Sequence, residues 1–491
     1  MNSSFKSIPD IRIRRANSAP INPGGNFVLY WMIANRRPGW NYSLDRAVDW
    51  ARDLDKPLVI LDALRLDYPW ASERMHSFIL DGMADHVKHF KNRPVTYYPY
   101  VEKASGAGRG LLATLAKEAC VVVTDDFPAF FLPRMRAAAA KKIPILMEQI
   151  DSNGLLPMGV ADQAFPTAYA FRRFLQRHLP DHLAERPKPD PLRRVPLKTL
   201  RALPAEVMNH WPIAAEKQLD RKHTFLGSLP FDHQVGVAPI AGGPEEAKRN
   251  LKRFLKERLQ RYIDDRNQPQ EEATSGLSPY LHFGHISTHE IFHQLIVSCG
   301  WSLEHLSDKA NGGRNGWWGM DATAEAFLDQ IVTWRELGFN MCQSRSDYDQ
   351  YESLPQWARA TLAKHETDKR PYLYAMDPLE KARTHDPLWN AAQTQLIQEG
   401  RIPNYLRMLW GKKILHWSTS PREALDTMIE LNNKYALDGR DPNSYSGIFW
   451  TLGRYDRAWG PERAVFGKVR YMGSANTLRK LHLKEYLKKW S

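Results

Sequence analysis

NYLRMLWGKKILHWSTSPREALDTMIELNNKYALDGRDPNSYSGIFWTLGRYDRAW, residues 404–459, carries four of the chain's 16 tryptophans. Trp410 and Trp417 stand seven residues apart, close to two helical turns, so their indoles share one face roughly 10 Å apart along the axis. The run then enters LNNKYALDGRDPN, a helix end and an Asp- and Gly-rich turn, and closes with Trp450 and Trp459 beside the basic Arg454 and Arg457. Two readings are open at this point. One is a buried helix pair with large core aromatics, the usual use of tryptophan. The other is a cofactor pocket floored by polar turn groups, with one group of indoles leading away and another facing a ligand.

Working outward, eleven of the tryptophans lie from Trp301 onward, in the last two fifths of 491 residues. A net charge of +13 favours a polyanionic partner, nucleic acid first and an anionic membrane surface second. Three separated cysteines, Cys120, Cys299 and Cys342, form no CxxC pair, so neither a disulfide framework nor a zinc ribbon is expected, and a reducing cytoplasm is the natural setting. The N-terminal stretch lacks the apolar core of a secretory signal, and no run of about eighteen apolar residues marks a membrane span.

Along the chain, residues 1–24 are polar and read as a flexible N-terminal arm. From residue 25 to 151, apolar runs FVLYWMIA, PLVILDAL, PVTYYPYV, CVVVTDDF and IPILMEQI alternate with amphipathic stretches such as YSLDRAVDWARDL and RMHSFILDGMADHVKHF. Near-continuous apolar strands separated by helices predict an α/β domain, a doubly wound, Rossmann-like parallel sheet with a ligand crevice at its strand ends. GAGRG at 106–110 lacks the GxGxxG spacing and reads as a plain turn. Residues 152–244, with RPKPDPLRRVPLKTLRALP, read as a long interdomain linker. Residues 245–491 read as an all-α domain.

Few catalytic markers occur. His285 and His289 in HISTHE have metal-ligand spacing on a helix, but no third ligand and no HExxH accompany them, so no metal site is expected. P-loop and GxSxG motifs are absent. TSGLSPYLHFG at 274–284 reads as a capped helix start, with Ser278 before Pro279, of the kind that also receives phosphate, and so as a candidate dinucleotide contact in the helical domain.

The ordered series RLQRYIDDRNQP, TSGLSPYLHFG, FLDQIVTWREL, THDPLWNAAQ, IPNYLRMLWGKKILHW, LNNKYALDGRDPN and RAVFGKVRYM resembles the photolyase and cryptochrome superfamily, specifically the class II cyclobutane pyrimidine dimer photolyases, over nearly the whole chain. The resemblance implies an N-terminal α/β antenna domain joined by a linker to a helical domain that holds bent FAD. Carried over residue by residue, Tyr262, Thr274, Ser275, Leu277 and Ser278 match phosphate and ribityl contacts. Arg335, Asn404, Arg407, Asp438 and Asp441 match the groups around the isoalloxazine and adenine. Asn432 matches the amide facing flavin N5, with Asn433 and Asn443 as alternatives.

Trp410, Trp389 and Trp417 match the proximal, middle and distal members of an electron-transfer chain. Trp334 and Trp450 match the walls around a flipped dimer, where flat rings replace lost base stacking. Arg457, Trp459 and Arg470 match groups entering the duplex gap, and Lys468, Arg479, Lys480, Lys484, Lys488 and Lys489 extend a basic surface. One position departs: Gln330, beside Asp329, stands where the family carries a glutamate, and an amide supplies neither proton nor charge. The implied function is light-driven repair of pyrimidine dimers in double-stranded DNA by a cytoplasmic, monomeric flavoenzyme. An antenna pigment (deazaflavin, folate or flavin) is left undetermined. The alternative is a cryptochrome-like light sensor or a DNA-binding flavoprotein that does not repair.

Overall fold

The structure is a computed structural model that describes residues 8–220 and 222–491. The chain forms two compact units, one of residues 8–160, 179–251 and 277–297, the other of residues 161–178, 252–276 and 298–491.

The first unit is built on a six-stranded sheet. Its strands are β1 (Ile13–Arg15), β2 (Phe27–Met32), β3 (Leu58–Leu64), β4 (Thr96–Val101), β5 (Ala119–Asp125) and β6 (Met147–Ile150), in the order β1-β6-β5-β2-β3-β4. The five apolar runs are β2 to β6, all parallel. Every residue of β2 and β5 is buried, as expected of strands covered on both faces. The order places a topological switch between β2 and β5. Helices α1 (Tyr42–Asp53), α2 (Glu73–Phe90), α3 (Leu111–Glu118) and α4 (Leu132–Ala140) follow β2, β3, β4 and β5. Asn41 caps α1, its carbonyl accepting from the Ser43 and Leu44 amides.

The switch point is closed from within. One carboxylate oxygen of Asp125 accepts the amides of Ile33, Ala34 and Asn35 at 2.8–2.9 Å, and the other accepts the Tyr30 hydroxyl at 2.8 Å. Arg37, also buried, donates to the carbonyls of Trp40, Ser152 and Gly284. A Cβ on Gly284 would lie 1.8 Å from the Ala34 carbonyl oxygen, so only glycine allows this approach. The ligand crevice expected at the strand ends therefore has the amides that follow β2 taken by Asp125. Asp125→Ala would strand three amides and a phenol together. We expect it to cost about 3 kcal/mol or more, read as a lowered thermal midpoint. A loss under about 1 kcal/mol would mean that water replaces the carboxylate.

Three expectations change. Within the expected flexible arm, Ile13–Arg15 pair antiparallel with β6, and Arg12 is buried, donating to the Leu155 carbonyl at 2.7 Å; residues 1–7 lie outside the described residues. The expected linker over 152–244 is not free: Ala168–His178 is a helix of the second unit, while the Pro- and Arg-rich passage packs on the first. There Trp40 donates to the Lys188 carbonyl and Ala214 to that of Pro99. The segment 277–297, expected in the helical domain, belongs to the first unit.

The second unit is helical, with no strand among its described residues. Residues 322–344 run as one rod in which Asp329–Trp334 widens into a π-helical turn between Ala322–Leu328 and Arg335–Ser344. Such turns accommodate an extra residue and recur at functional sites. Helices Pro387–Glu399, Asn404–Trp417, Pro421–Tyr435 and Pro442–Thr451 complete the part that matters for function. Gly411 lets the second of these approach the last, since a Cβ there would lie 2.7 Å from Thr451 Cγ2.

Candidate functional site

Three indoles meet inside the second unit. Trp389 and Trp410 are parallel, with centroids 6.4 Å apart and planes 3° apart, and Trp389 meets Trp417 edge-on at 5.6 Å. Trp389 thus stands between the two, although it comes from the neighbouring helix. The rings are held in orientation by hydrogen bonds: Trp389 Nε1 donates to the Trp410 carbonyl at 3.1 Å, and Trp410 Nε1 to Gln393 Oε1 at 2.8 Å. Trp417, expected at the outer end, is itself only 1% exposed. It is covered by Tyr374 and His385, whose ring centroids lie 5.5 and 5.3 Å from its own.

The turn after the Pro421–Tyr435 helix is a dense polar knot. Asn433 accepts the Arg440 amide and donates to the Tyr445 hydroxyl, so its side chain is engaged in holding the turn. Asn432, buried beside it, donates to Ser444 Oγ at 2.9 Å. Arg407 pairs with Asp438 at 2.9 Å, while its Nε is buried without a hydrogen-bond partner. Asp441 caps the Pro442–Thr451 helix by accepting the Asn443 amide. That bond uses the Asn443 backbone, and its side chain is exposed.

Among the other expected cofactor contacts, Tyr262 is buried between Phe254 and Phe327, and that burial raises the pKa of its phenol. Thr274 is exposed and Ser275 half-buried; the Thr274 carbonyl accepts from Arg258. Gly276, with φ +67° and open space where a Cβ would be, turns the loop. Arg335 is buried with its guanidinium 4.3 Å from the Phe339 ring, and Asn404 is exposed at the start of its helix. Tyr262, Thr274, Ser275, Arg335, Asn404, Arg407, Asn432, Asp438 and Asp441 all belong to the second unit; Leu277 and Ser278 belong to the first. The helix after them spans only Ser278–His282 and starts at Ser278 itself, so the serine caps nothing with its side chain.

On the half-buried side of the second unit, Gln330 and Trp334 share the π-helical turn, four residues apart. Asp329, the neighbouring acid, is buried and ion-paired with Arg172 at 2.8 Å. It therefore does not stand in for the missing glutamate. A second half-buried indole, Trp450, lies among cations: Lys412 Nζ at 5.1 Å and the Arg470 guanidinium at 5.5 Å from its centroid. Arg470 also covers Trp459 at 4.1 Å, as does Arg457 at 4.5 Å, and Asp456 holds Arg470 by an ion pair at 2.9 Å. Trp450, Arg457, Trp459 and Arg470 thus form one cluster. Lys468, Arg479, Lys480, Lys484, Lys488 and Lys489 are exposed.

Two readings of the sequence are corrected here. Arg454, grouped by sequence with Arg457 beside the last two indoles, is instead 1% exposed and donates to the Tyr348 carbonyl, its guanidinium 3.8 Å from the Phe449 ring. His285 is not on a helix with His289, because that helix begins at Thr288; its Nδ1 accepts the Gly243 amide and burial lowers its pKa well below the usual range. GAGRG is the expected turn, cinched by Glu102 accepting the Gly108 amide. Residues missed by sequence reasoning are Lys412, Gln393 and the π-helical turn. Lys412 follows a glycine that marks close helix packing, a signal that could have flagged burial.

No family model matches the chain. It is 33% identical over 477 residues to a deoxyribodipyrimidine photo-lyase of Methanothermobacter thermautotrophicus, covering 97% of each chain. It is 31% identical over 483 residues to the Arabidopsis thaliana enzyme of that name, covering 97% of this chain and 91% of the relative. Among solved structures, a bacterial class III photolyase from Agrobacterium tumefaciens matches 96% of this chain and 87% of its own, with a TM-score of 0.64 at 14% identity, a likeness of fold. The chain belongs to the deoxyribodipyrimidine photo-lyase family, a family of lyases.

Proposed function

We propose that this protein is a class II-type enzyme that reverses cyclobutane pyrimidine dimers in DNA with light, using FAD. The observation that carries this reading is the Trp410–Trp389–Trp417 stack, a buried series of easily oxidised rings in a chain whose relatives are photo-lyases. The donor set suits a flavin dinucleotide. Arg407 has a buried Nε still to be partnered and a carboxylate beside it, and hydroxyls at Thr274 and Ser275 suit a diphosphate. Tyr262, Arg335, Asn404, Asp438 and Asp441 complete that set, with Asn432 as the amide toward N5. A reduced flavin held there supplies an electron when it absorbs light.

The chain's own residues do the rest. Trp334 and Trp450 receive the extruded dimer between flat surfaces, which costs less for a damaged pair because its stacking is already weakened. Arg457, Trp459 and Arg470 occupy the gap left in the duplex and hold phosphates. Gln330 donates and accepts hydrogen bonds to the pyrimidine without transferring a proton. Trp410, Trp389 and Trp417 would carry electrons to a cofactor that has become oxidised, a step outside the repair cycle, which returns its own electron.

The test is repair of an oligonucleotide with one thymine dimer by flavin-loaded, pre-reduced protein under near-ultraviolet or blue light, with Gln330→Glu in parallel. Repair in light only is expected, and a several-fold higher yield per photon for Gln330→Glu, because a protonated carboxyl can give a proton to the pyrimidine as negative charge builds there and an amide cannot. A second reading, a light-responsive flavoprotein that binds DNA without repairing it, is favoured by Gln330 together with the engagement of Asp329 by Arg172. Binding without any light-dependent reversal would select it.

A further inference from the structure

Lys412 has no solvent exposure, yet its ammonium donates to the Thr451 carbonyl at 2.6 Å and lies 5.1 Å from the centre of the Trp450 indole. Burial drives its pKa down to about 7; Asp456 opposes that fall and Arg470 adds to it. Asp456 is itself ion-paired with Arg470, which offsets the other cation near the Trp450 ring. The contrast with the next residue is instructive. Lys413 lies 5.3 Å from the Trp417 ring but is balanced by Asp386 at 3.0 Å. A buried ammonium with so little compensation is costly, and a methionine would fill the same space.

Resting on the reading of Trp450 as a wall of the lesion pocket, we infer that Lys412 stabilises the negative charge arriving on the dimer, acting through the Trp450 ring as a positioning charge. One electron from the reduced flavin enters the dimer. The C5–C5′ and C6–C6′ bonds of the cyclobutane would break, two C5=C6 double bonds would form, and the electron would return to the flavin that gave it, leaving no net redox change. Lys412 gains and loses neither proton nor electron. Its charge lies 5.1 Å from the centre of the ring against which the dimer would stack, and at a buried site Coulomb attraction is screened far less than in solvent. Gln330 brings no charge to the lesion and Asp329 is engaged by Arg172, so the uncompensated charge at this wall is that of Lys412.

The experiment uses flavin-loaded, fully reduced protein and a duplex oligonucleotide with one thymine dimer. Lys412→Met is expected to lower the repair yield per absorbed photon by about three- to tenfold, with the dark Kd for the same duplex unchanged. The wild-type yield is expected to fall as the pH rises above 7 and the ammonium, which faces Asp456 and Arg470, is lost; the variant should stay flat. Equal yields in the two proteins would overturn the inference. So would a pH profile shared by both, or a loss of dark affinity accompanying the loss of yield, since either would make Lys412 a mere prop for the indole. Should the variant fail to fold, a flat wild-type profile decides against it. If wild-type protein carries reduced flavin and repairs nothing, the photorepair reading has failed instead.

Discussion

Trp389→Phe is expected to reduce photoreduction of oxidised flavin by about 10²-fold or more while leaving repair by chemically pre-reduced enzyme largely intact. The reason is geometric. Trp389 is the ring that touches both others, parallel to Trp410 at 6.4 Å and edge-on to Trp417 at 5.6 Å. Phenylalanine preserves an aromatic plane but is much harder to oxidise, so a hole leaving Trp410 has no intermediate station. Each 1.4 kcal/mol added to a hop slows it about tenfold, which is why one substitution suffices. The structural cost is modest, the loss of the Nε1 bond to the Trp410 carbonyl and part of an indole's volume, about 1–3 kcal/mol. The measurement is the bleaching of flavin absorbance under blue light with an external reductant, paired with dimer reversal by dithionite-reduced protein. Unimpaired bleaching would remove the stack from the electron path, and joint loss of bleaching and repair would mean that Trp389 supports the fold of the site rather than its redox chemistry.

This arrangement also marks the limit of reading the sequence. The seven-residue spacing of Trp410 and Trp417 was visible as a shared helix face, but the insertion of Trp389 from the Pro387–Glu399 helix depends on tertiary packing, and only the family resemblance brought the three together. The five parallel strands were legible because strands buried on both faces must be apolar throughout. Ile13–Arg15 was not, because IRR has no such pattern. It is held at the sheet edge by ladder bonds to β6, with its buried neighbour Arg12 ion-paired to Asp151 at 3.5 Å. The π-helical turn at Asp329–Trp334 was hidden because one inserted residue barely disturbs the apolar spacing, yet it sets how Gln330 and Trp334 are presented. Lys412 passed unnoticed in the sequence, and its burial accompanies the close approach allowed by the glycine before it.

Replacing either lesion wall should be felt in binding before it is felt in chemistry. Trp334→Ala and Trp450→Ala are each expected to weaken binding of dimer-containing duplex by about 1–3 kcal/mol, the range for loss of one aromatic ring under a base, or roughly 5- to 150-fold in Kd. Affinity for undamaged duplex should change little, because no base is extruded there and the basic surface supplies the attraction. Both indoles are half-buried and each sits on a rigid helical element, Trp334 at the end of the π-helical turn and Trp450 within Pro442–Thr451, so truncation removes ring area without unfolding its support. If the two rings clasp the same lesion, the double variant should lose less than the sum of the single losses, since a dimer held by one wall has already surrendered part of its stacking against the other. Lys484→Ala, on the exposed basic surface, offers the opposite signature: weakening of damaged and undamaged duplex alike, with a shallower salt dependence. The deciding data are anisotropy titrations of both duplexes at several salt concentrations. Equal losses on damaged and undamaged DNA for the tryptophan variants would place these rings on the general DNA surface and leave the lesion without walls.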